Sequence, residues 1–198
     1  LTTGLATANT GITTLTTGLA TANADLDTTS QIVFSLTVDT LPSKVYRVSK
    51  NAPSQTLSEA ADAAISDNAS TSAPAVIILG PGTYDIGETV TVGTGVTIIG
   101  SGPEATILNN TNAIGVFVLE SNSTIANLKI VDTQASSQRT INVNNAANAV
   151  IRQVVVTSNV NYDGYLLDVD GASSLTMEDT HFEYGSDGTS TIAMRIAG

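Results

Sequence analysis

Ile125, Ile151 and Met177 stand 26 residues apart, as do Leu128, Val154 and Thr180, and Ile130, Val156 and Phe182. A further set, Val118, Val143, Val169 and Ile196, is spaced 25, 26 and 27 residues. A period of this length marks one supersecondary unit stacked on the next, because such a unit cannot bury an apolar face alone. Within the period the elements are short. Val76-Ile77-Ile78-Leu79, Thr89-Val90-Thr91-Val92 and Val96-Thr97-Ile98-Ile99 are separated by turn residues such as Gly80-Pro81-Gly82. Short strands with inserts of drifting length predict an all-β coil, a parallel β-helix, rather than an array of helices.

Stacking accounts for the composition. Each coil adds a rung about 4.8 Å from the last, so equivalent side chains line up in columns. Inward columns take Ile, Val and Leu; outward columns must avoid repeating one charge, which favours Thr, Ser and Asn. Charged residues make up 13% of the chain, against about 25% in ordinary domains. Seven Lys and Arg stand against 18 Asp and Glu, for a net charge of −11. Such a balance excludes binding of nucleic acid by phosphate neutralisation. With no Cys there is no disulfide framework, thiolate zinc site or Cys nucleophile. No run of about 20 apolar residues predicts membrane insertion.

A second repeat occupies the N-terminus. LTTGLATAN spans residues 1–9 and recurs at 15–23, two heptads later. Leu5, Ile12, Leu19 and Leu26 are seven apart, and so are Leu1, Ala8, Leu15 and Ala22. The two series alternate at the spacing of a coiled-coil seam, so residues 1–29 are expected to form an α-helical stalk. Its Gly and Thr residues make a poor isolated helix. Partner chains must then bury the seam, and a homotrimer is the expected assembly. A low-complexity Thr/Gly linker is the alternative. Residues 30–74 read as a connection. Ile32, Phe34, Leu36 and Val38 alternate as a strand, and Lys44, Arg47 and Lys50 form a basic strand face. Thr56 and Glu59 have capping-box spacing, ahead of a helical stripe of Leu57, Ala60, Ala61, Ala64 and Ile65. Residues 75–198 are the coils.

From Gln55 to Leu108 the layout LSEAADAAISD, AVIILGPGTYDIGETVTV and GVTIIGSGPEATIL resembles the N-terminal cap and first coils of the pectin-lyase-like right-handed parallel β-helix superfamily. The resemblance implies a short helix plugging the open end and a PGTY turn leading into the first coil. It is specific for fold and not for activity, since that fold hosts lyases, hydrolases, esterases and non-catalytic fibres.

Seven of the 18 carboxylates fall between Asp163 and Asp187: Asp163, Asp168, Asp170, Glu178, Asp179, Glu183 and Asp187. With Val169 inward, Asp168 and Asp170 are expected on the outer face. The column register places Asn142 and Arg195 on the track of Asp168, and Arg152 on Glu178. These readings predict ion pairs and polar ladders between rungs. Asp168, Asp170 and Asp179 are also candidate Ca²⁺ ligands, although an EF-hand loop would end in Glu rather than Asp179. No other cofactor is expected. His181 shares an outward column with Lys129 and Val155, and no spacing specifies a catalytic partner for it. The Asp-Asp, Gly-His, Gln-Asp and Asp-Phe motifs of the superfamily's enzymes are not found.

A heptad stalk leading into a β-helix without catalytic motifs resembles phage tailspikes and fibre-type proteins of large DNA viruses. That likeness implies a non-enzymatic virion component (fibre, spike or minor capsid protein) serving attachment or capsid reinforcement. Its partners would be copies of itself, other virion proteins and host surface glycans. The alternatives are a polysaccharide lyase or hydrolase, or a glycan-binding adhesin, at the cell surface or outside the cell. No basic leader precedes Leu1, and the strand at Ile192 to Ile196 begins a coil. The chain therefore reads as a mature product or fragment, with its last coil continued or covered.

Overall fold

The computed structural model describes residues 14, 44–50, 56–110, 115–133, 139–158, 165–171, 173–184 and 194–196. The chain divides into two compact units, Leu1–Leu41 and Pro42–Gly198. The expected heptad seam and the strand expected at Ile32 to Val38 lie outside the described residues.

The second unit is a parallel β-solenoid with one short helix. Its strands are β1 (Lys44–Val48), β2 (Ala75–Leu79), β3 (Gly82–Ile86), β4 (Val90–Val92), β5 (Val96–Ile99), β6 (Thr106–Asn110) and β7 (Phe117–Leu119). They continue as β8 (Thr124–Asp132), β9 (Arg139–Asn144), β10 (Ala149–Ser158), β11 (Tyr165–Asp170), β12 (Leu175–Glu178), β13 (His181–Tyr184) and β14 (Met194–Ile196). One face runs β1-β2-β5-β8-β10-β12. A second uses β3 and β6, the later halves of β8 and β10, and β13. The third runs β4-β7-β9-β11-β14.

The 26-residue period is the register of these ladders. Ile125 pairs with Ile151, and Ile151 with Met177. The same column runs back through Ile98 and Ile77 to Tyr46. On the second face Leu108, Ile130, Val156 and Phe182 stack in turn. Ile77, Ile98, Ile125, Ile151, Leu108, Ile130 and Val156 have no exposed surface, so these columns are the core. Met177, expected inside with Ile151, is 41% exposed. Thr180, expected in the Leu128 column, lies between β12 and β13.

The third face corrects one column. Val118 pairs with Asn142, and it is Leu119 that stacks on Val143, Val169 and Ile196. Leu119 is 1% exposed, whereas Val118 is half-buried on the outside. Side chains alternate along a strand, so a register error of one residue exchanges inside and outside.

The corners are made by residues in the left-handed region. Asn127, Gln153 and Asp179, spaced at the period, have φ of 55°, 53° and 48°. Asn127 and Gln153 divide β8 and β10 into segments on two faces. At another corner Gly95, Asn122 and Asn148 have φ of 74°, 57° and 57°. Asn tolerates this conformation better than most residues, and stacking adds a bond: Asn148 Nδ2 donates to Asn122 Oδ1 at 3.2 Å.

Helix α1 (Leu57–Ser66) packs against β1, β2, β4 and β5. The capping box forms: Thr56 Oγ1 accepts from the Glu59 amide at 3.2 Å, and Glu59 Oε2 accepts from the Thr56 amide at 2.7 Å. Leu57, Ala60, Ala61 and Ala64 are buried, while Ile65, expected with them, is 41% exposed. Ile65 still sits against Gly93, where an added Cβ would come within 2.6 Å of its Cγ1. At the far end Asp67 takes the Tyr46 hydroxyl and, at 2.7 Å, the Lys44 ammonium.

Candidate functional site

The densest charged cluster lies on the third face, on strands β9, β11 and β14. Leu167 and Val169 point inward, so Asp168 points out, between Asn142 of the preceding rung and Arg195 of the next. Outward does not mean exposed: Asp168 has no accessible surface. Arg195 donates Nε to its Oδ1 at 2.6 Å and Nη2 to its Oδ2 at 2.8 Å. Arg139 Nε pairs with the same Oδ2. Two guanidinium groups thus cover one carboxylate, with charge-assisted bonds in place of water.

Arg195 Nη2 also donates to Asp170 Oδ2 at 2.8 Å, while the Gly171 amide donates to Asp170 Oδ1 at 2.8 Å. The Gly171 amide first, and Arg195 next, hold the Asp170 carboxyl below the usual carboxylate range. The bond to Asp168 in turn raises the Arg195 guanidinium. The Arg195 carbon stands 5.3 Å from the centroid of the Tyr165 ring, a cation–π contact. Tyr165 pairs in register with Arg139. Beneath Asp168, Asn142 Oδ1 is buried with no hydrogen-bond partner among the described residues.

The sequence-predicted track of Asn142, Asp168 and Arg195 is therefore brought together, and so is Arg152 with Glu178. Asp179 is a corner residue beyond β12, and no group of three His, Asp or Glu side chains suited to a metal ion occurs among the described residues. The donors facing Asp168 and Asp170 are N–H groups. His181 pairs at 2.9 Å with Glu183 two residues on, both exposed, in the expected column with Val155 and Lys129.

Arg139 and Tyr165 were not singled out from sequence, although they too stand 26 residues apart. A buried polar group inside the coil was also missed. Asn110, Asp132 and Thr140 have no exposed surface. Asp132 accepts from Thr140 Oγ1 at 2.7 Å and from Asn110 Nδ2 at 3.3 Å. A recess of about 690 Å³ opens between the start of α1 and the first coil, lined by Val48, Lys50, Leu57, Tyr84, Ile86 and Glu88 among others. No helix of the described residues is long and apolar enough to cross a membrane.

Chemically, the third-face cluster is a closed circuit. Two cations and two carboxylates balance, and every Asp168 and Asp170 oxygen accepts a bond. No curated protein and no solved structure shows significant similarity to the chain. A family model described as rhamnogalacturonase A/epimerase, pectate lyase-like, matches residues 50–196, and with the parallel coil around its stacked Ile columns the chain belongs to that pectate-lyase-like family.

Proposed function

We propose that the chain is a structural β-solenoid, a rigid rod without catalytic turnover, carried on its heptad segment as an oligomeric virion fibre, spike or minor capsid component. The observation that supports this most is the closure of the Asp168–Asp170 cluster by Arg139 and Arg195. Glycoside hydrolysis needs one carboxyl free to donate a proton and another free to attack or to activate water. Asp168 has no surface, and Asp170 is held as an ion. The heptad register of residues 1–26 supports oligomerisation. Contacts with host glycans would then be binding without cleavage.

Polysaccharide cleavage is the second reading, favoured by the activities in the family's description. Incubation with uronate and neutral glycans, with and without calcium, separates the two. The structural reading expects no turnover. Turnover lost in Asp168→Ala or His181→Ala would replace it with the enzymatic one. Sedimentation of the whole chain against a form starting at Ser30 tests assembly; a monomer in both cases rejects the oligomeric rod.

A further inference from the structure

Asp170 and Gly171 sit where the third face turns its corner, and their arrangement has a chemical consequence beyond charge balance. An aspartyl carboxyl followed by glycine is open to attack by the next backbone nitrogen, because glycine has no Cβ to shield it. At this corner the nitrogen is already placed: Gly171 N lies 2.8 Å from Asp170 Oδ1, with Gly171 at φ 65°. Asp170 is accessible, its side chain 39% exposed.

We infer that Asp170–Gly171 is a self-modification site, an aspartate poised to isomerise to isoaspartate and held back by Arg195. The Gly171 nitrogen forms a bond to Asp170 Cγ and gives up its proton, and the carboxyl loses its hydroxyl, so that one water leaves and a succinimide ring closes. Water then adds at either ring carbonyl. Opening at the main-chain carbonyl leaves the chain running through the former side-chain carboxyl, as isoaspartate. Nothing is oxidised or reduced, and water is the only co-reactant.

Arg195 opposes this in two ways. Hydroxide leaves from the neutral acid, whereas the guanidinium 2.8 Å from Oδ2 favours the ion. The carboxylate is also pinned between Arg195 and the Gly171 N–H with its plane turned to the hydrogen bond, and attack on Cγ requires it to rotate out of that grip. Isomerisation would lengthen the backbone at the corner and withdraw Asp170 from Arg195, loosening β14 from β11. A long-lived particle would carry this as a built-in clock on its third face.

The test is storage of the whole protein at neutral and mildly acidic pH, followed by peptide mapping that distinguishes isoaspartyl from aspartyl residues. Asp163-Gly164 and Asp187-Gly188 carry the same dipeptide and serve as rulers within the chain. Relative to them, isoaspartate at Asp170 is expected to rise severalfold in Arg195→Ala and less in Arg195→Lys, which keeps the charge but not the fork. Each unit by which the Asp170 pKa climbs multiplies its neutral fraction about tenfold near neutral pH. The excess over wild type should therefore shrink as the pH drops into the carboxylate range, a pH profile that mere loosening of the corner would not produce. Equal isoaspartate at Asp170 in wild type and both variants, or an excess independent of pH, overturns the proposal. Arg139→Ala, which leaves Asp170's bonds intact, should match wild type at this position.

Discussion

Arg195 and Asp168, 27 residues apart in sequence, face each other across one rung, joined by two bonds of 2.6 and 2.8 Å. The carboxylate is fully covered while the Arg195 side chain keeps 29% of its surface. Its burial makes the pair asymmetric. Removing Asp168 frees two arginines that can turn to water, whereas removing Arg195 leaves a covered charge held by Arg139 alone.

Asp168→Ala is accordingly expected to lower stability by about 1.5–3 kcal/mol, the worth of hydrogen bonds to a charged group. Arg195→Ala should shift the urea midpoint further than Arg139→Ala, because it removes three of the cluster's bonds rather than one. Equal midpoints for the two arginine variants would contradict the arrangement.

The isoleucine column makes a graded prediction. Ile125→Ala and Ile151→Ala each open a cavity at a position with no exposed surface and should cost about 2–5 kcal/mol. Met177→Ala in the same column should cost far less, since Met177 is 41% exposed. Urea unfolding followed by circular dichroism reads both.

Corner geometry predicts opposite signs at two positions. Gly95→Ala places a Cβ 2.3 Å from the Ser70 carbonyl oxygen at φ 74° and should destabilise by more than about 1 kcal/mol. Gln153→Gly removes a side chain from φ 53°, where a residue with a Cβ is strained by roughly 1–2 kcal/mol. That variant should melt at or above the wild-type temperature.

The clamp on α1 gives a pH dependence at each end of the scale. Lys44 first, then Tyr46, lowers the Asp67 pKa, and Asp170 is lowered on the third face. For such groups the unfolded chain binds protons first. Their stabilisation is complete above the unfolded value of about 3.9 and is lost as pH falls through the lower folded values. Tyr46, through burial and its bond to Asp67, is pushed up to about 12. Its contribution is complete below the unfolded value of about 10 and fades as pH rises toward the folded one. Urea midpoints should fall at both extremes, with Asp67→Asn flattening the acid limb and Tyr46→Phe the alkaline one.

Much of the coil was legible because a stacked rung repeats its environment. Ile125, Ile151 and Met177 could be aligned from spacing, and the capping box from Thr56 and Glu59. Parity failed at Val118 and Leu119, where two adjacent apolar residues leave no alternation to read. The insert before β7 also shifts the spacing away from 26. Asp132 escaped notice because nothing local in Ile130-Val131-Asp132 says that its partners come from β6 and β9.

By itself the sequence determined the architecture: a repeating column of β-branched side chains can bury itself only by stacking, and a chain stacked on itself disfavours repeated charge. Only the tertiary structure decided what the outward residues became. Asp168 was rightly placed on the outer face, yet it is covered, because Arg139 begins β9 and Arg195 lies on the next rung, and their long side chains lie down over it. Alternation along a strand tells inside from outside. Whether an outward carboxylate meets water or a guanidinium depends on neighbours a full coil away, and there the coil's third face was settled.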